Sequence, residues 1–169
     1  MRKEDLLEAA FRVYLRNPRA TVHEVAEEAG VSKSTIFYYF KNKCGLEKEL
    51  MMYVIKKFSP WREDNDLESA IKSRFELMKR YPGLARMTYT IIDNLSKTDP
   101  EFIEELSKRS FERISKMLER EGFSNPKELA IILHAFIDGL AMYSMYIDLD
   151  LDLCSDLVLK AIRGLKNEV

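Results

Sequence analysis

A chain of 169 residues with 46% hydrophobic and 33% charged side chains has the make-up of a globular protein of one ordinary domain, or a small one joined to a larger, and not of a disordered one. Its formal net charge of -1 hides a split: residues 1–57 hold three more basic than acidic side chains, and the remainder four more acidic than basic. Two cysteines, Cys44 and Cys154, are too few for a disulfide framework or a zinc site and fit a reducing cytoplasm, and the first apolar residues are interrupted by Glu8 and Arg12, which argues against a secretory signal.

In chain order, residues 3–16 predict an amphipathic helix with Leu6, Leu7, Ala10, Phe11 and Tyr14 on one face, ended before Pro18. Thr21 then offers an N-cap, and Glu24 three residues later completes a capping box. Val22, Val25, Ala26 and Ala29 follow at helical spacing, and Gly30 supplies the left-handed residue that stops this helix. Ser32 caps a second helix at once, with Ile36, Phe37 and Phe40 expected on its buried side. The small Ala26 lets the two helices cross closely. This is helix-turn-helix geometry.

The second helix has an unusual outer side. Lys33, Ser34 and Thr35 stand in its first turn, Tyr38 and Tyr39 near its end, and Lys41 and Lys43 beyond it. From Val31 to Cys44 there are three lysines and no acid. Short donors at a helix start suit a major groove, and lysines and tyrosine hydroxyls suit phosphates. The competing reading, that Tyr38, Tyr39 and Phe40 are ordinary core aromatics, meets a geometric objection. Neighbours on a helix sit ~100° apart, so three in a row cannot share one core face. A basic first segment before an acidic remainder fits a DNA-binding head on a body that avoids DNA.

The run V-S-K-S-T-I-F-Y-Y-F-K-N-K resembles the recognition-helix signature of the tetracycline-repressor (TetR-type) transcriptional regulators, over roughly residues 5 to 55. The resemblance implies an all-helical homodimer that binds a pseudo-palindromic DNA operator and releases it when a small ligand binds. Carried onto this chain, it places phosphate contacts at Thr21, Ser32, Thr35, Tyr39 and Lys43, and base-reading positions at Lys33, Ser34 and Tyr38. Asn17-Pro18 stands where relatives often have a Gly, and Cys44 where an acid is common.

Beyond the motif, a helix from about Lys43 to Phe58 carries Leu46, Leu50, Met51, Val54, Ile55 and Phe58 and ends at Ser59-Pro60. A polar connector with the single Trp follows. Asp66 predicts a cap for a helix to Arg80. Pro82 suits the first turn of a helix running to about Leu95, and Pro100 opens another that Gly122 stops. Pro126 opens the most apolar helix, to about Ile147, and a last helix runs from about Leu153 to Lys166. The LAIILHAFIDGLAMYSMYI run approaches membrane-span length. His134, Asp138 and Ser144 interrupt it, so a helix buried on both sides, within one subunit and against a second, is the reading taken. The last two helices from each of two chains, about 126–147 and 153–166, would make a four-helix twofold interface. The A-F-I-D-G-L-A-M segment also resembles the penultimate helix of the same family. Asp148–Asp152 lacks calcium-loop spacing and reads as a solvated loop.

The sequence presents no nucleophile-base pair, phosphate loop or metal-spaced cluster, so no catalytic, cofactor or metal residue is assigned and an enzyme is not expected. His134 and Asp138 share a helix face, as a ligand-cavity anchor or as a satisfied polar pair. Cys44, next to Lys43 at a helix start, is either a redox-sensitive thiol or an inert one. The family implies a small-molecule effector; Met78, Met87, Tyr89, Phe111, His134, Asp138, Met142 and Tyr143 are the candidates for a largely apolar cavity, or ordinary core residues.

The expectation is an all-α chain of about nine helices. A three-helix DNA-binding head spans 1–57, with its motif at about 22–41, and a ligand-binding and dimerisation body spans 58–169. The function expected is a cytoplasmic repressor without membrane contact. The alternative is a ligand-independent DNA-binding protein whose body only dimerises or recruits a protein partner.

Overall fold

The computed structural model describes residues 2–167, which form nine α-helices and a closing 3-10 turn without a strand. They are α1 (Lys3–Arg16), α2 (Val22–Glu28), α3 (Lys33–Phe40), α4 (Lys43–Phe58), α5 (Leu67–Arg80), α6 (Leu84–Thr98), α7 (Pro100–Arg120), α8 (Pro126–Tyr143) and α9 (Leu151–Gly164), with Leu165–Asn167 as the turn. The all-α expectation is met, and local chemistry moves three helix ends. Pro82 lies in a turn closed by Leu84 N–H on the Tyr81 carbonyl (2.9 Å), so α6 begins two residues after it. The same helix runs past Leu95 to Thr98, where Asp99 N–H still donates to Leu95 (2.7 Å). Helix α8 stops at Tyr143, not Ile147, because Met145 and Tyr146 donate to carbonyls three residues back, in tight turns. Asp150, expected in a solvated loop, caps α9 by accepting from Leu153 N–H (3.0 Å).

The chain divides into two compact units, Met1–Phe58 with Arg86–Ile103, and Ser59–Ala85 with Glu104–Val169. Residues 86–103 were expected in the body; they pack with the head helices. The reason is polar as well as apolar. Lys48 Nζ pairs with Asp99 (2.5 Å) and lies over the Phe102 ring, and Asn94 reaches Glu47. Fully buried side chains of this unit include Leu6, Tyr14, Ile36, Leu46, Leu50, Ile91 and Leu95.

Glu47 is the exception among them: a carboxylate only 3% exposed. An unpaired buried charge is too costly to keep, so its partners matter. Tyr14 Oη donates to it at 3.2 Å, Asn94 Nδ2 donates at 3.4 Å, and Lys43 Nζ lies 3.6 Å away. Burial, followed by the adjacent Glu47 charge, pushes the Tyr14 phenol far above its ordinary range. Helices α1, α4 and α6 thus share one polar knot. At the rim, Arg12 and Arg16 of α1 clamp Glu28 of α2 (2.9 and 2.5 Å) and hold its carboxyl below the usual range.

In the second unit α9 packs on α5 and α8, around buried Leu67, Ile71, Phe75, Ile114, Leu118, Leu133 and Ile162. Arg163 of α9 pairs with Glu68 of α5 (2.8 Å). The connector is not loose: Trp61 is buried, and Arg120 donates to the Glu63 and Asn65 carbonyls.

Tyr14→Phe removes one donor from the buried Glu47 carboxylate and no packing volume. Urea denaturation should show a loss of about 1.5–3 kcal/mol, the range for a hydrogen bond to a charged group, with the slope unchanged.

Candidate nucleic-acid interface

The interface begins with two caps. Thr21 Oγ1 accepts from Glu24 N–H (3.3 Å), and the Glu24 carboxylate accepts from Thr21 N–H (2.7 Å), closing the capping box at the start of α2. That backbone bond is the main reason the Glu24 carboxyl stays below its ordinary range. Gly30 turns the chain with φ +65°, and Val31 N–H donates back to Ala26 (3.0 Å). Ser32 Oγ then accepts from Thr35 N–H (3.3 Å) to start α3. The same oxygen lies 2.7 Å from Ser34 Oγ and 3.0 Å from Thr35 Oγ1. Three hydroxyls are therefore ordered among themselves at the positive end of a helix.

The far end of α3 is held by an unusual approach. A Cβ on Gly45 would lie 2.0 Å from the Phe40 carbonyl oxygen, so no other residue lets α4 start this close. Asn42 Oδ1 accepts from Gly45 N–H (2.8 Å), and Lys41 takes a positive φ of 67° to make the reversal. Sequence reasoning missed Gly45. A Gly three residues into a helix, where it costs stability, was the available signal.

Thr21, Ser32, Lys33, Ser34 and Tyr38 are exposed; Thr35, Tyr39 and Lys43 are half-buried. Tyr38 is 83% exposed and meets Tyr39 edge-on at 5.3 Å. Ile36 and Phe40 are buried as expected, but Phe37 is not. At 43% exposure it lies on the outer side of α3, a correction to its expected place in the core. The reason is angular: a helix two turns long gives one narrow inner stripe, which Ile36 and Phe40 fill. No acidic residue stands between Glu28 and Glu47, so Lys33 and Lys41 have no opposing charge in that stretch, while Lys43, at the start of α4, lies 3.6 Å from Glu47.

The ligand candidates fall in both units. Met87 and Tyr89 belong to the first unit and Met78, Phe111, His134, Asp138, Met142 and Tyr143 to the second. Met78 and Met87 are buried, and Met142 and Tyr143 are exposed. Within the second unit, His134 Nδ1 is 3.0 Å from Asp138 Oδ2, Phe111 lies edge-on to the His134 ring at 5.3 Å, and Arg74 is 3.7 Å from Asp138 Oδ1. Cys44 is half-buried, with Thr98 Oγ1 at 3.7 Å. Among the described residues no group of three or more His, Cys, Asp or Glu is placed to hold a metal ion, and no helix is long and apolar enough to cross a membrane.

Residues 6–50 match the model of the bacterial regulatory proteins of the tetR family. The match is confined to the head, about a quarter of the chain, and that head is similar to the family's DNA-binding part. The N-terminal part is similar to the HTH-type transcriptional regulator LuxR of Vibrio harveyi, with 36% identity over 66 residues. That match covers 38% of this chain and 32% of LuxR, so it spans about a third of the relative's length. Nearly the whole chain is alike in fold to a putative TetR-family transcriptional regulator from a Rhodococcus species (TM-score 0.74, 15% identity, 97% of this chain and 98% of that one). It is likewise similar to a putative transcriptional regulator from Saccharomonospora viridis in complex with choline (TM-score 0.69, 22% identity, 95% and 94%). At such identities the likeness is one of fold. This chain therefore has the helical fold of TetR-family transcriptional regulators, with a helix-turn-helix at residues 22–40.

Ser32→Ala should lower the stability of the head by about 1 kcal/mol, since α3 loses its cap. Ser32→Asp, whose carboxylate caps equally well, should melt close to the wild type in the same calorimetric experiment.

Proposed function

We propose that the protein is a homodimeric, cytoplasmic transcriptional repressor that inserts α3 into the major groove of a pseudo-palindromic operator. A small, mainly apolar ligand would release it. The observation that carries the DNA-binding part is the outer side of α3: ordered hydroxyls at its start, lysines and tyrosines around them, and no acid between Glu28 and Glu47. Lys33, Ser34 and Tyr38 are assigned to base edges, and Thr21, Ser32, Thr35, Tyr39 and Lys43 to phosphates. Half-sites would lie about one helical turn (~34–36 Å) apart.

The dimer is supported by an apolar stripe. Ile131, Ile132, Phe136, Met142 and Tyr143 of α8 and Leu153 and Leu157 of α9 are all exposed in the single chain. Gly139 sits within the α8 stripe, and a Cβ there would meet nothing within 4 Å. A mid-helix Gly costs about 0.5–1 kcal/mol against Ala, with no reason for it inside the chain. Close approach of a second helix supplies one. Release needs only that ligand affinity differ between DNA-bound and DNA-free arrangements of the dimer. Phe111, His134 and Asp138 are the residues assigned to hold the ligand. A second reading, a ligand-independent DNA-binding protein, is favoured by the outward Met142 and Tyr143. Native mass spectrometry of protein taken from cells separates the two: a bound small molecule supports release by ligand, and a bare dimer supports the second reading.

Lys33→Ala should weaken binding to the selected operator by about 1–3 kcal/mol and hardly affect random duplex. Lys43→Ala should weaken both and lower the salt slope by about one unit. Equal losses of Lys33→Ala on the two duplexes, measured by fluorescence anisotropy, would remove its base-reading role. Phe136→Glu should turn the dimer into a monomer by light scattering; an unchanged dimer would place the interface elsewhere.

A further inference from the structure

The exposed ring of Phe37 has no part in the assignments above. Ile36 and Phe40, its neighbours on α3, are 0% and 3% exposed, so the core is complete without it. On the helix Phe37 lies about 40° from Lys33 and about 60° from Ser34, one turn further on. It stands on the flank of the helix, about 60° from the buried Phe40 and about 100° from the 83% exposed Tyr38. A half-exposed phenyl on the flank of a basic, hydroxyl-rich face, between Phe40 and Ser34, is out of place as solvent-facing surface.

Its chemistry narrows what it can meet. A phenyl ring neither donates nor accepts a conventional hydrogen bond, so it cannot read the nitrogen and oxygen pattern of a base pair. The one apolar feature on a major-groove edge is the C5 methyl of thymine. The charge around the ring selects the same partner, since the stretch from Ala29 to Leu46 holds three lysines and no acid, which suits a polyanion. Successive turns of a helix are about 5.4 Å apart, so Phe37 meets a base pair beside the one nearest Ser34.

We infer that Phe37 is a specificity-determining residue that reads thymine, its ring covering the C5 methyl in each half-site. This rests on the DNA-binding function proposed above and adds to it one named base. Lys33 and Ser34 then read polar edges, while Phe37 demands a methyl next to them.

The test begins by selecting duplexes from a random library with the wild-type protein. Deoxyuridine, which differs from thymidine only by the missing methyl, then replaces thymidine one position at a time in the selected duplex. Wild type should bind about fourfold more weakly when one particular thymine per half-site is changed, the loss expected for withdrawing one methyl from apolar contact. Phe37→Ser should bind the thymine and uracil duplexes alike, and Phe37→Leu should keep part of the preference. Circular dichroism checks that each variant is folded, and the deoxyuridine series on wild type needs no variant at all. Indifference of the wild type to every substitution overturns the inference, as does an undiminished preference in folded Phe37→Ser. Either result leaves sequence-specific binding through Lys33 standing. Failure to enrich any duplex overturns both the inference and the function it rests on.

Discussion

A buried carboxylate holds the first unit together. Glu47 cannot be left unpaired at 3% exposure, and its three partners come from three parts of the chain: Tyr14 in α1, Lys43 one turn back in α4, and Asn94 in α6. The energy of such a knot lies less in the bonds made than in the penalty for breaking them, because desolvation has already been incurred. The relative placement of α1, α4 and the α6 segment is therefore tightly specified. Lys48, the next residue of α4, fastens the same segment through Asp99 and through its ammonium over Phe102. The head is thus more than its three N-terminal helices and α4; residues 86–103 are part of its core.

Onto that frame α3 is attached by small contacts at both ends. At its start Ser32 satisfies a backbone donor that a helix of eight residues leaves open. At its end Gly45 allows α4 to begin against the Phe40 carbonyl. A helix this short has little stability of its own. Its orientation is set by Ile36 and Phe40 inside and by the two junctions, which leaves Lys33, Ser34, Phe37 and Tyr38 free to face a ligand. The hydroxyls of Ser32, Ser34 and Thr35 are already ordered among themselves, so on the proposed DNA-binding reading less rotamer freedom would be lost on binding.

The second unit follows the opposite rule. Its core is apolar, and its outward side is apolar too, along α8 and α9. Contiguous exposed apolar residues on two packed helices are unusual for a monomer. The polar group of Arg74, Asp138, His134 and Phe111 is the one place in this unit where charge, imidazole and an aromatic edge converge.

Sequence alone determined the helices and their signals: the Thr21–Glu24 box, Gly30, the Ser32 cap, the Asp66 cap and the stops near Pro18 and Ser59-Pro60 all act within a few residues of themselves. The acid-free run through α3 was legible for the same reason, since charge along a short helix needs no tertiary context. The outward position of Phe37 was not, because periodicity over two turns does not say how wide the buried stripe is; only the core against which Ile36 and Phe40 pack decides that. Nor were the burial of Glu47 and the place of residues 86–103, since Tyr14 and Asn94 reach Glu47, and Asp99 reaches Lys48, across dozens of positions. Contacts between remote segments leave no periodic trace, so the polar knot, and which helices belong to the head, were decided by the tertiary structure.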